Sequence, residues 1–236
     1  MNEPVTLATS DGASMDAYVA RPNTGVARGP GIIVFQEAFG VNAHIRDVAD
    51  RFARLGFTAI APELFHRSAR GFEGDYTDFQ SVAPHTSALT REGLEADADS
   101  AHAWLTQDAG VDAARIAAVG FCLGGRATYL ANARLPLCAA VSFYGAGIAP
   151  GLLALAPQQH GPILMFWGGL DAHILPEQYR TVADALTKAQ KTHEQVVFGQ
   201  ADHGFFNDAR ASYNAHAAPQ AWALTQAFFK AYGALT

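Results

Sequence analysis

Compact apolar runs punctuate the chain at residues 31–35, 57–61, 116–119, 139–144 and 163–167. None alternates strictly between apolar and polar positions, which is the pattern of strands covered on both faces. Residues 5–20 read instead as two short antiparallel strands around Ser10-Asp11-Gly12, and residues 21–30, rich in Pro, Gly and Asn, as a loop. After Asn42, a suitable N-cap, Ile45, Val48, Ala49 and Phe52 recur at helical spacing until Gly56 closes the helix. Helical patterns return at 92–107, in 126–133, at 177–188 and at 220–232, where Trp222 and Phe228 share a face, and 193–198 reads as a further strand. Residues 64–90 show no clean period and contain Gly71, Gly74 and Pro84, so they read as a long loop of the kind that serves a substrate site.

Strands alternating with helices predict an α/β fold, a mostly parallel sheet with helices on both faces. No repeat, linker or low-complexity segment interrupts it, and 236 residues suit a single domain over 1–236. Ligands of such sheets sit beyond the carboxyl ends of the strands. That rule selects Glu37, Cys122, Tyr144, Asp171 and the segment after Phe198.

Composition removes several function classes. A net charge of −6 argues against nucleic acid, which needs a basic face. No apolar run is long enough to span a membrane, and Met1-Asn2-Glu3-Pro4 begins no secretory leader. The two cysteines, Cys122 and Cys138, make neither a disulfide framework nor a zinc pattern, so no metal or other cofactor is expected. Free thiols without a leader fit a reducing cytoplasm.

The chemistry centres on Gly120-Phe121-Cys122-Leu123-Gly124-Gly125. A buried strand, a sharp turn with one reactive side chain and then a helix make a nucleophile elbow, here with cysteine in the nucleophile slot. The helix N-terminus favours the thiolate. In the order nucleophile, acid, histidine, Asp171 follows in Gly168-Gly169-Leu170-Asp171 and His203 in Ala201-Asp202-His203-Gly204-Phe205. Each lies just past a predicted strand. The other histidines sit in helices or in loops away from a late post-strand turn, except His173, which would leave one loop supplying both acid and base. Oxyanion donors are expected from the backbone N–H groups of Leu123 and Ala38. Glu37 is open to two readings: a salt bridge to Arg126 or Arg46, or a resting partner of the thiol.

These residues resemble the dienelactone hydrolase family of α/β hydrolases. The resemblance rests on Val34-Phe35-Gln36-Glu37 with Gly40, on Ala61-Pro62-Glu63-Leu64, on Gly120 to Arg126, on Gly168 to Asp171 and on His203-Gly204-Phe205. It implies an α/β-hydrolase fold and a Cys122–His203–Asp171 triad. It also implies a thiol that rests on Glu37 and swings to His203, and hydrolysis of a lactone or small ester through an acyl-cysteine. The family's arginines that hold a substrate carboxylate have no clear match: Asn207 stands four residues after His203, and Arg67, Arg70 and Arg91 precede the third helix. Arg67 or Arg70 is a candidate anion contact, with Tyr144 and Asn207 as further substrate contacts. The expected partner is a small ester or lactone, and the chain is expected to act as a monomer or homodimer. The alternatives are a general carboxylesterase of the family, a non-catalytic module on the same fold and a thiol peroxidase, which would want a resolving cysteine that Cys138 does not offer.

Overall fold

The computed structural model describes residues 2–23 and 28–235, so part of the loop expected over 21–30 lies outside the described residues. Eight strands form one sheet in the order β1-β2-β4-β3-β5-β6-β7-β8. The first two, β1 (Asn2–Ala8) and β2 (Ser14–Ala20), are the antiparallel hairpin, and β2 pairs antiparallel with β4 (Thr58–Pro62). From β4 onward the sheet is parallel through β3 (Gly31–Phe35), β5 (Ile116–Phe121), β6 (Ala139–Phe143), β7 (Ile163–Gly168) and β8 (His193–Phe198). The central strands are buried at every position, which is why they lack alternation. At the edge, β8 alternates weakly, with Val197 exposed.

Helices cover both faces. On one, α1 (Ala43–Arg54) meets α6 (Ala217–Ala231) where Phe52 packs edge-on against Trp222 and beside Phe229. On the other, α3 (Arg91–Gln107), α4 (Leu123–Arg134) and α5 (Pro176–Lys188) lie over the parallel strands. The Asn42 side chain caps α1 by accepting from the N–H of Ile45, as its sequence position predicts.

The loop expected over 64–90 requires a correction. It contains a further helix, α2 (Phe79–Ala88), capped by Asp78 and carrying Pro84 inside. Only Val82 of that helix is buried, so no apolar stripe marked it in the sequence. No helix among the described residues is long and apolar enough to cross a membrane.

Register sets the site. Phe35 pairs with Gly120, Gly120 with Ser142 and Phe121 with Phe143, and Phe143 with Phe166. The strands therefore end level, and the residues that follow them converge above one edge of the sheet.

Candidate active site

Cys122 connects β5 to α4 with φ 55° and ψ −113°, a conformation that side chains other than glycine rarely adopt. The turn is held because the N–H of Cys122 donates to the Phe143 carbonyl at 3.0 Å and the N–H of Arg126 to the Cys122 carbonyl at 3.2 Å. Glycine on both sides is a steric requirement. A Cβ on Gly120 would collide with the Gly124 carbonyl, and one on Gly124 with the carbonyl oxygens of Phe35 and Gln36. The first turn of α4 thus presses against both neighbouring strands and aims its N-terminus at the thiol.

Asp171 and His203 come from two loops that are stitched together. Gly169 donates to the Phe198 carbonyl at 2.8 Å and Leu170 to the Ala201 carbonyl at 2.9 Å. Asp171 Oδ1 accepts from the N–H groups of His173 and Ile174, at 2.7 and 3.1 Å, which leaves Oδ2 for His203 Nδ1 at 2.8 Å. Both side chains are almost fully buried. Burial alone would push the imidazole pKa down, but hydrogen bonds to Asp171 and to the Cys122 side chain, with the charges behind them, raise it from 6.5 to about 10. Burial likewise opposes ionisation of Asp171, and His203 with the two backbone donors outweighs it, so its pKa falls below the ordinary value. The structure therefore brings together all three residues that the motif order selects, with Nδ1 of the imidazole spent on the acid and Cys122 near enough to raise the pKa of the ring.

Glu37 corrects one expectation. It is fully buried at the end of β3, and neither Arg126, Arg46 nor the thiol holds it. Asn207 Nδ2 donates to Oε2 at 2.6 Å, while the Tyr144 hydroxyl and Arg210 Nη1 approach Oε1 at 3.4 and 3.5 Å. These three donors are the partners of Glu37, and no hydrogen bond joins it to the Cys122 thiol. Tyr144 is fully buried, and its hydroxyl is turned to the carboxylate. Gln36 reaches across to accept from the N–H of Leu64 at 3.0 Å, fixing the exit of β3 to the segment after β4.

Arg67 and Arg70 are a second correction. Arg67 is committed to Asp11 at 2.7 Å and to Asp97 at 2.9 Å, and Arg70 to Asp16 at 2.5 Å. Both serve the hairpin side of the molecule, and neither is brought to the thiol. The N–H groups of Ala38 and Leu123, the expected oxyanion donors, flank Glu37 and Cys122 in the chain, and no described residue accepts from either.

Three residues here escaped sequence reasoning in this role. The Tyr76 hydroxyl accepts from Asn207 Nδ2 at 2.9 Å and from Asn42 Nδ2 at 2.8 Å, linking the floor of the site to the 64–90 segment. Arg210 lies over the rings of Phe39 and Tyr76, with centroids 5.5 and 5.9 Å away. His44, buried at the start of α1, sits beside Phe121 and Phe206, and burial lowers its pKa against the opposing pull of Glu37 and Asp208. The only signal for Tyr76 was its place in an aperiodic segment rich in aromatics.

The comparisons with known proteins identify the family and the fold. Residues 15–233 match the model of the dienelactone hydrolase family. A Synechocystis protein named "Putative carboxymethylenebutenolidase" is 37% identical over 222 residues, covering 90% of each chain. The crystal structure of a "Putative Dienelactone Hydrolase" from Klebsiella pneumoniae superposes with a TM-score of 0.88 at 35% identity, covering 98% of this chain and 99% of the other. Thermogutta terrifontis esterase 2, phosphorylated by paraoxon, superposes with a TM-score of 0.73 at 25% identity, covering 100% and 95%. With the family model spanning nearly the whole chain and the sheet order in place, this protein is a hydrolase that belongs to the dienelactone hydrolase family.

Proposed function

We propose that the protein hydrolyses carboxylic esters and lactones with Cys122 as nucleophile. The observation that carries the reading is the buried Asp171–His203 pair at 2.8 Å, with Cys122 in the strained turn between β5 and α4 acting on the same imidazole. An imidazole pKa near 10 keeps His203 protonated at neutral pH, and in this reading the N-terminus of α4 favours the thiolate as the attacking form. The thiolate Sγ attacks the carbonyl carbon, and the oxyanion that forms is met by the N–H groups of Leu123 and Ala38. Collapse breaks the C–O bond, and the imidazolium gives its proton to the departing oxygen. Water then attacks the acyl-cysteine while His203, now neutral, takes the water's proton, and the thiolate leaves. Asp171 holds the ring in one orientation throughout.

Residues 64–90 supply one wall of the substrate side in this reading, because Tyr76 and Phe79 pack edge-on against Phe39, at centroid distances of 4.7 and 5.4 Å. Dienelactone itself is the less favoured substrate. A carboxylate clamp needs a guanidinium fork, and around His203 the chain offers Asn207, already bonded to Glu37. A general ester hydrolase of the family is favoured by that observation.

Mixing wild type and Cys122→Ala with an activated aryl ester tests the proposal. Wild type is expected to release a burst of phenol and to carry one acyl group on Cys122 by mass spectrometry. Cys122→Ala should lose turnover by at least about a thousandfold, as removal of a triad nucleophile does. Full activity in the variant would place the chemistry elsewhere.

A further inference from the structure

Two aromatic rings pack on the His203 imidazole. One is Tyr144, fully buried, with its centroid 5.0 Å away and the planes inclined by 56°. The other is a second histidine, His173, whose ring stands edge-on at 5.1 Å and 75°. Among the described residues no ring contact joins Tyr144 to His173, so the two meet the imidazole from different directions. His203 is only 7% exposed, whereas His173 is exposed. Of the two rings, His173 is therefore the one that stands between the imidazole and water.

The placement of His173 is tied to the triad itself. Its N–H donates to Asp171 Oδ1 at 2.7 Å, and the N–H of Ile174, a buried residue, donates to the same oxygen at 3.1 Å. The other oxygen, Oδ2, takes His203 Nδ1 at 2.8 Å. One carboxylate thus sets both imidazoles, one through its side chain and the other through its backbone. The His173 side chain has no second engagement: among the described residues no hydrogen bond or ion pair reaches it, and His203 is its one ring contact. With no hydrogen bond between the two rings, no proton passes directly from one to the other. What remains for His173 is the ring as a surface.

Such a surface matters at this position. Water beside His203 would weaken its attraction to Asp171, since charges interact less in a medium of higher dielectric constant. It would also compete for the proton on Nδ1. An edge-on ring pair in addition restrains the rotation of its partner. We propose that His173 is a positioning residue for hydrolysis, whose ring covers the solvent side of the His203 imidazole and keeps it on Asp171. It works as a flat cover and not through its nitrogens. The inference rests on His203 serving Cys122 as acid and base.

The test compares wild type with His173→Ala, His173→Phe and His173→Gln on an activated aryl ester. His203 moves a proton in both halves of the reaction, so the loss is expected in kcat with KM nearly unchanged. In His173→Ala it should be roughly three- to tenfold, the range over which one edge-on ring pair acts. His173→Phe restores a ring without nitrogens and should keep the wild-type kcat, whereas His173→Gln, polar but without a ring, should behave as the alanine variant. The second readout is the far-downfield proton resonance of His203 Nδ1–H, assigned by its absence in His203→Gln. It should be sharp in wild type and His173→Phe and broadened by exchange with water in His173→Ala and His173→Gln. Urea midpoints should stay together, because the substituted side chain is exposed. Midpoints that fall in step with kcat would make His173 a structural prop and overturn the proposal. Wild-type kcat and a sharp resonance in His173→Ala would overturn it too, as would rescue by Gln and not by Phe. Each of these outcomes leaves Cys122 as the nucleophile; full turnover by Cys122→Ala would instead remove the reading on which the cover rests.

Discussion

Asn207 is the shortest contact of the buried Glu37 carboxylate. Its amide takes Glu37 Oε2 at 2.6 Å, and its other contacts, to Tyr76 Oη and from the N–H of Ala209 at 3.0 Å, fix which end of the amide is the donor. Asn207→Ala leaves a buried carboxylate oxygen unpaired, which costs about 1–3 kcal/mol. It also frees Glu37 to compete for the proton or the position of the thiol. The variant is expected to unfold at lower urea and to react more slowly with iodoacetamide at neutral pH; alkylation at the wild-type rate would show that Asn207 does not hold Glu37 off the thiol. His203 gives a second prediction. Its pKa rises from 6.5 unfolded to about 10 folded, so the stability it contributes is fully present below about pH 6.5 and is lost as pH climbs toward 10. Asp171, shifted down, contributes above its ordinary range near 3.8 and loses that contribution in acid. Urea midpoints between pH 6.5 and 10 should therefore fall for wild type and fall less for His203→Gln. At this scale the sequence was legible where chemistry imposes order: the order nucleophile, acid, base singles out Cys122, Asp171 and His203 just past β5, β7 and β8, and the fold brings these three positions together. Asn207, Tyr76 and Arg210 converge on Glu37 from separate irregular segments, and no spacing rule connects positions 37, 76, 207 and 210.

The elbow between β5 and α4 shows how tightly the elements constrain the residues. Two sides of the first turn of α4 meet backbone: Gly124 the exit of β3, and Gly125 the Phe143 carbonyl, with a virtual Cβ 2.7 Å away. Ser142 Oγ and Thr128 Oγ1 secure the glycines' own carbonyls, donating to Gly125 O at 3.0 Å and Gly124 O at 2.9 Å. Gly124→Ala cannot be relieved by a flexible side chain, because its obstacles are main-chain carbonyls. It should cost at least about 1–3 kcal/mol, the usual range of overpacking, and should lower kcat more than KM by moving Cys122 away from His203. A variant with normal kcat and normal stability would show that the turn has slack. This helix was legible from its glycines and from the apolar strand before it. The neighbouring α2 was not, because it exposes nearly all of its surface, carries a proline inside and is held by the Asp78 cap and a single buried valine.

Across the whole molecule, the parallel strands and their covering helices were legible because uninterrupted apolar runs between helical patterns leave little choice but a doubly covered sheet. The tie between the hairpin and the 64–90 segment was not, since it depends on charges far apart in sequence. Asp97, fully buried on α3, accepts from His66 Nε2 at 3.0 Å and from both terminal nitrogens of Arg67, whose Nε reaches Asp11 in the hairpin turn at 2.7 Å. One carboxylate thus joins α3, the segment after β4 and the β1–β2 turn, on the flank of the sheet away from Cys122. Removing one partner of a buried pair costs about 3–5 kcal/mol, and the partial exposure of Arg67 places Asp97→Ala near the lower end. In a chain of this size about 3 kcal/mol corresponds to a loss of roughly 10 °C in Tm. Arg67→Ala should lower Tm by less, because it leaves His66 on Asp97. Neither change should alter KM for an anionic ester, because these charges hold the architecture together and do not touch the reacting carbonyl. A rise in KM with Arg67→Ala, measured on phenyl hydrogen glutarate, would return that arginine to the substrate and contradict the division of labour in which the hairpin side supplies stability and the strand ends supply chemistry.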